Sequence, residues 1–138
     1  MRVVLDTDVF VSAVFFGGIP GRVLSLWRQR AFEIAVSREV LAEYGRVGER
    51  LAARAPGVDL GPVLDLIAAH ASFVLAPSLP EPVCRDPDDD KFLACAVAAE
   101  ATVLVSGDRD FLIVSSYRGV TILSPRDFVG RLSRSDHS

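Results

Sequence analysis

Two β-branched runs, Val3-Val4-Leu5 and Val103-Leu104-Val105, each break off into a short acidic turn, and this limits the fold more than any other feature of the chain. Runs that are apolar on every residue, rather than on alternate ones, suit strands buried on both faces of a parallel sheet. Parallel neighbours finish at the same edge, so the two acidic turns should emerge together, where open α/β sheets bind their ligands. The first turn carries Asp6 and Asp8, and the second carries Ser106, Asp108 and Asp110. Converging carboxylates repel one another. A hard cation such as Mg²⁺ or Mn²⁺ relieves that repulsion, and such a site is suited to phosphoryl chemistry.

The rest of the chain alternates strands with helices. Patterning predicts strands at 2–5, 32–36, 72–75, 102–105 and 120–123. Helices are expected at 9–16, from Pro20 to about Gln29, from Arg38 to about Arg54, from Asp59 to about His70, from Asp88 to Glu100, and from Pro125 to about Leu132. Gly17-Gly18 and Pro56-Gly57 supply breaks, and Ser37 and Ser124 supply caps. Pro77, Pro80, Pro82 and Pro87 make 76–87 the longest irregular segment, a loop within a domain because neither flank could form a core alone. The expectation is an α/β fold, a three-layer α/β/α sandwich around a parallel sheet of four to five strands. Residues 1–132 should form a single domain, and 133–138 a frayed tail.

A chain of 138 residues, 50% of them apolar, suits one cored domain. No apolar stretch reaches the length of a membrane span, and the N-terminus has a strand pattern rather than that of a leader, so a cytoplasmic protein is expected. Cys84 and Cys95 have neither metal-ligand spacing nor disulfide density, and both should be reduced. A net charge of −3 does not advertise a nucleic-acid binder. Lys91 is the only lysine among the 15 basic residues. Arg38, Arg46, Arg50 and Arg54 recur along one helix, a pattern that fits a solvated face better than a phosphate-tracking stripe. Neither His70 nor His137 belongs to a Ser/His/Asp set, no nucleophile elbow occurs, and Gly17-Gly18 lacks the lysine of a phosphate loop. Phe15 and Phe16 are the aromatics best suited to a partner surface.

The acids can be placed on these elements. Glu43 sits on the rim of the helical stripe Val40, Tyr44, Val47 and Leu51, where an unpaired charge is costly, so it needs a partner. Asp90 lines up with Leu93 and Val97, which points it inward. Asp86, Asp88 and Asp89 divide evenly between helix-capping and functional roles. Asp6 suits a helix cap, but that role explains one of Asp6 and Asp8 and not both. Taken alone, the stretch from Ser106 to Phe111 suits a turn with Asx hydrogen bonds. Four separate elements each delivering an acid to one edge is the stronger signal.

Three segments, VVLDTDVFVSA, SREVLAEY and RDPDDDKFLACAVAAEATVLVSGDRDF, resemble in order and spacing the three blocks of PIN-domain nucleases. The likeness runs from Val3 to the closing helix and falls in the VapC-like branch, the toxin components of toxin–antitoxin systems. It implies an acidic quartet of Asp6, Glu43, Asp90 and Asp108, with Asp110, Ser106 and Asp8 as accessory residues. Asp8 stands where that branch usually has Asn, which adds a charge and bears on metal affinity. Ser106 replaces a common Thr and keeps its hydroxyl. The implied activity is Mg²⁺- or Mn²⁺-dependent hydrolysis of RNA, leaving a 5′-phosphate and a 3′-hydroxyl. One or two ions would be held by Asp6, Asp90 and Asp108. Glu43 would ligate a second ion or orient the water, Asp110 would bind through water, and Ser106 would hold a phosphate or a water. Arg46, Arg85, Lys91 and Arg109 could supply positive charge to the substrate. The family also implies a homodimer silenced by a cognate antitoxin that inserts a segment into the active groove.

Two other functions fit parts of the pattern. Asp6-Thr7-Asp8 after a strand also suits a haloacid-dehalogenase-type phosphatase, with Asp6 as nucleophile, Asp8 as acid/base, and Lys91, Asp108 and Asp110 as later elements. Glu43 then has no role, and a stable phospho-aspartate would mark this function. A non-catalytic RNA- or protein-binding module would show metal-dependent stabilisation without cleavage.

Overall fold

A computed structural model describes residues 1–55, 57 and 59–136, so Pro56 of the expected helix break, and His137 and Ser138 of the tail, lie outside it. The chain runs β1 (Arg2–Leu5), α1 (Thr7–Phe15), α2 (Gly18–Arg28), β2 (Glu33–Val36), α3 (Arg38–Ala52), α4 (Gly61–His70) and β3 (Ser72–Phe73). After the proline loop come a 3-10 turn (Pro87–Asp89), α5 (Asp90–Ala98), β4 (Val103–Val105), α6 (Arg109–Val114), β5 (Ser116–Tyr117), β6 (Val120–Leu123) and α7 (Pro125–Asp136). The sheet order is β3-β2-β1-β4-β6-β5, parallel throughout except for β5. Val3, Val4, Leu5, Ile34, Ala35, Val36, Leu104 and Val105 are fully buried, as strands covered on both faces require.

Five parallel strands agree with the patterning, and β5 adds a sixth that it did not suggest. Ser116 and Tyr117 pair antiparallel with Thr121 and Val120 across a two-residue loop, Arg118-Gly119, in which both φ values are positive (48° and 83°). That is the twist a tight hairpin needs, but Arg-Gly is a weaker signal than Asn-Gly or Asp-Gly. Helix α6 was also not foreseen. Its six residues are too few for helical periodicity to show, and it starts because Asp108 Oδ1 accepts the Asp110 N–H at 3.0 Å. Helix α7 continues past Leu132 to Asp136, since neither glycine nor proline interrupts that stretch. Among the described residues no single helix is long and apolar enough to cross a membrane.

Helix α3 carries part of the site, and its rotation is fixed by packing. Ser37 Oγ caps it by accepting the Val40 N–H at 3.2 Å. Val40, Tyr44 and Gly48 face inward, while Arg38, Arg46, Arg50 and Arg54 are exposed. The Tyr44 ring stacks on Phe10 of α1 with centroids 4.4 Å apart, and its hydroxyl donates to the Leu5 carbonyl at the end of β1. This locks α3 against both β1 and α1, which carries the neighbouring residue Glu43 to the sheet edge. Tyr44→Ala is expected to cost about 3–5 kcal/mol in urea unfolding. Tyr44→Phe, which leaves a buried carbonyl without its donor, should cost about 1–2 kcal/mol. Equal stability of wild type and Tyr44→Ala would contradict this lock.

Candidate active site

Strand β1 lies between β2 and β4, so successive strands spread to one side from β1 and to the other from β4. The carboxyl ends of these two strands thus form a topological switch point, where adjacent connections part and leave a crevice. Their pairing runs from Val3↔Val103 to Leu5↔Val105, and the Asp6 N–H continues it by donating to the Val105 carbonyl at 2.9 Å. Asp6 and Ser106 are thereby fixed side by side through the backbone.

Their side chains meet. Ser106 Oγ donates to Asp6 Oδ2 at 2.7 Å and accepts the Asp108 N–H at 3.0 Å, so a fully buried hydroxyl joins the turns after β1 and β4. Asp6 Oδ1 accepts the Thr7 N–H at 2.7 Å, as the cap of α1. Asp6 is 7% exposed, and burial pushes its carboxyl up to about pH 8. The Asp8 charge adds to that rise, and the Ser106 hydrogen bond works against it. Asp8 is exposed at the rim, close to Gly107.

Glu43 has the partners that its position demands. Its Oε1 accepts from Lys91 Nζ at 2.7 Å and its Oε2 from the Thr7 hydroxyl, which ties α3 to α1 and α5. Lys91 also pairs with Asp88 at 3.2 Å. Burial pulls the Lys91 ammonium down, but its bonds to Glu43 and Asp88 hold it above its ordinary value.

The acid at the head of α5 is not where periodicity put it. Asp90 was expected to face the carboxylate edge; instead its Oδ1 accepts the Cys84 N–H at 2.8 Å and its Oδ2 the Val83 N–H at 3.2 Å. It lines a cavity of about 400 Å³ between the proline loop, Glu39 and the start of α5. The acid that feels the cluster is Asp89. Burial raises it to about pH 6, helped by the charges of Asp86, Asp108, Glu43 and Asp88, and Asp89 in turn raises Asp6. The reason is geometric. Leu93 and Val97 line up with Asp90 along α5, whereas Asp89 lies in the 3-10 turn before that helix, where α-helical spacing does not apply. Asp86 is a plain cap, accepting the Asp88 N–H at 3.0 Å.

The expected basic residues divide. Lys91 is inside the cluster and Arg85 reaches Asp110 at 3.6 Å from a largely exposed position, whereas Arg46 and Arg109 are exposed and make no ion pair with these acids among the described residues.

A family model described as the PIN domain matches residues 2–110. The chain belongs to the PIN-domain family. This PIN domain is 31% identical over 115 residues to the uncharacterized protein MJ1680 of Methanocaldococcus jannaschii, a match covering 81% of this chain and 74% of that one. Its fold is similar to the crystal structure of PAE2754 from Pyrobaculum aerophilum, with a TM-score of 0.60, 18% identity, and 96% and 89% of the two chains covered. It is also similar to VapBC2 from Rickettsia felis bound to a DNA fragment from its promoter, with a TM-score of 0.55, 17% identity, and 88% and 97% covered. PIN domains are generally nucleases.

The donors in this PIN domain fit a hard divalent cation by chemistry: they are oxygen-only, and buried enough that Asp6 and Asp89 are both pushed toward protonation. Among the described residues no three acidic, histidine or cysteine side chains are drawn together closely enough to hold a metal ion as they stand. Ser106→Ala should raise the Asp6 carboxyl further and lower stability by about 1–2 kcal/mol, since it strips a donor from a buried carboxyl and an acceptor from the Asp108 amide. A carboxyl-carbon NMR titration checks the shift, and an unmoved or lowered Asp6 would contradict it.

Proposed function

We propose that this PIN domain is a Mg²⁺- or Mn²⁺-dependent endoribonuclease acting as the toxin of a toxin–antitoxin pair. The observation that carries this reading is the meeting of Asp6, Ser106 and Asp108 at the β1–β4 switch point, with Asp89 close enough to perturb Asp6. Asp6, Asp89 and Asp108 would hold the cation, with Asp110 and Asp8 at the rim; Asp90 serves the loop instead. Bound there, the cation supplies charge neutralisation and Lewis acidity to the scissile phosphate and its attacking water.

The chain's own residues do the rest. Ser106 holds Asp6 and the Asp108 turn at a fixed separation, so two ligands on different strands are preorganised by one hydroxyl. Thr7 and Lys91 fix Glu43, which leaves its carboxylate oriented toward the cluster as a local negative charge. Exposed Arg46, Arg85 and Arg109 would offer positive charge to the phosphate backbone. In-line attack leaves a 5′-phosphate and a 3′-hydroxyl.

RNA as substrate, a cytoplasmic homodimer and a cognate antitoxin follow from the resemblance of the three sequence blocks. The similarity in fold to the Rickettsia felis VapBC2 pair is consistent with them. A single domain over 1–132 is supported by the continuous sheet and the buried core it shares with the helices. Incubation with a labelled single-stranded RNA pool in Mg²⁺, Mn²⁺ or EDTA tests the reading. Cleavage should require a metal and leave 5′-phosphate ends, whereas cleavage in EDTA or 2′,3′-cyclic phosphate ends would overturn it.

A further inference from the structure

The one lysine of this arginine-rich chain is spent inside the acidic cluster. Its Nζ lies 2.7 Å from Glu43 Oε1 and 3.2 Å from Asp88 Oδ1, bridging carboxylates from α3 and from the 3-10 turn before α5. The Lys91 and Glu43 side chains are only 17% and 15% exposed, so the pair is largely withdrawn from water. An arginine would offer a planar fork. A lysine offers a compact point charge on a flexible stem, the closest a side chain comes to a small cation between oxygen ligands. Both Glu43 oxygens are engaged, one by Lys91 and one by the Thr7 hydroxyl, while the Glu43 charge still acts on Asp89. Two-metal phosphodiester sites place their ions about 3.5–4 Å apart, each among oxygen ligands, and the Lys91 ammonium lies between two carboxylates of this cluster.

On the metal-dependent reading of the site, we propose that the Lys91 ammonium occupies the position of a second divalent cation, so that the cluster admits one divalent ion per chain. Glu43 is then a positioning residue that holds Lys91 and Thr7, not a metal ligand. Removing the ammonium leaves Glu43 and Asp88 without the cation they share, and a second ion is the available replacement.

Mn²⁺ bound per chain, counted by electron paramagnetic resonance on the whole protein, tests this together with melting temperature. Wild type and Lys91→Arg should bind one ion. Lys91→Met should bind two, melt below wild type in EDTA, and recover toward wild type in Mn²⁺. Lys91→Gln serves the same comparison where the Met variant fails to fold. Two ions in wild type, or one in the neutral variants, would overturn the proposal while leaving the metal reading intact. No bound Mn²⁺ in wild type would overturn the metal reading itself, and this proposal with it.

Discussion

Asp89→Asn is expected to lower metal-dependent RNA cleavage by about a hundredfold or more with the fold intact, beyond the roughly 10–100-fold cost of losing an outer-shell partner. Asp90→Asn, one residue on, should cost less than about tenfold, because its carboxylate serves the Val83 and Cys84 amides rather than the cluster. The two variants differ in kind as well as in size. Asp90→Asn puts an amide NH₂ against a backbone N–H, so the proline loop should loosen, with faster hydrogen exchange at Val83 and Cys84 and faster thiol labelling of the buried Cys84. Asp89→Asn should leave both unchanged. The reverse pattern, with Asp90→Asn inactive and its loop as protected as in wild type, would restore Asp90 to the catalytic set.

Asp6→Asn should make the metal-free protein more stable. In the fold the Asp6 carboxyl holds its proton up to about pH 8, against an ordinary value of 3.8. Between those values the folded state binds more protons than the unfolded one, so the contribution of Asp6 is full below about pH 4 and is lost as pH rises toward 8. Asparagine carries no charge to bury. The variant should therefore melt close to wild type near pH 4 and about 5 °C or more above it at pH 8, where roughly 3–6 °C corresponds to 1 kcal/mol for a domain of this size. Saturating Mn²⁺ should reverse the order, since binding at a hundred times Kd stabilises by about 2.7 kcal/mol and the variant lacks a ligand. A variant less stable than wild type across the whole pH range, metal absent, would mean that Asp6 is a structural cap and not a strained site residue.

Strands β1 and β4 were legible in the sequence because full burial writes itself as unbroken apolar runs, and their shared carboxyl edge follows from parallel pairing alone. Glu43 was legible as a charge on a buried stripe that needed partners, although nothing in the spacing named Thr7 or Lys91. Asp89 was divided between cap and site and ranked behind Asp90, because it lies in a 3-10 turn outside the helical stripe that singled out Asp90, and such a turn leaves little trace in composition. The link from Ser106 to Asp6 was missed for a different cause: it spans 100 residues of sequence, and only the pairing of β1 with β4 creates it. Short elements such as α6 and β5 rest on one cap and one hairpin turn, local features too brief for periodicity to detect.

The most direct test of the acidic cluster as a metal-dependent ribonuclease site is single-turnover cleavage of one labelled RNA by wild type and Asp6→Asn, each in Mn²⁺ and in EDTA. Wild type should cut only with Mn²⁺, and Asp6→Asn should cut in neither although it melts at or above the wild-type temperature in EDTA at pH 8. Equal cleavage by the two proteins in Mn²⁺ would contradict the account and move the chemistry away from the β1–β4 switch point.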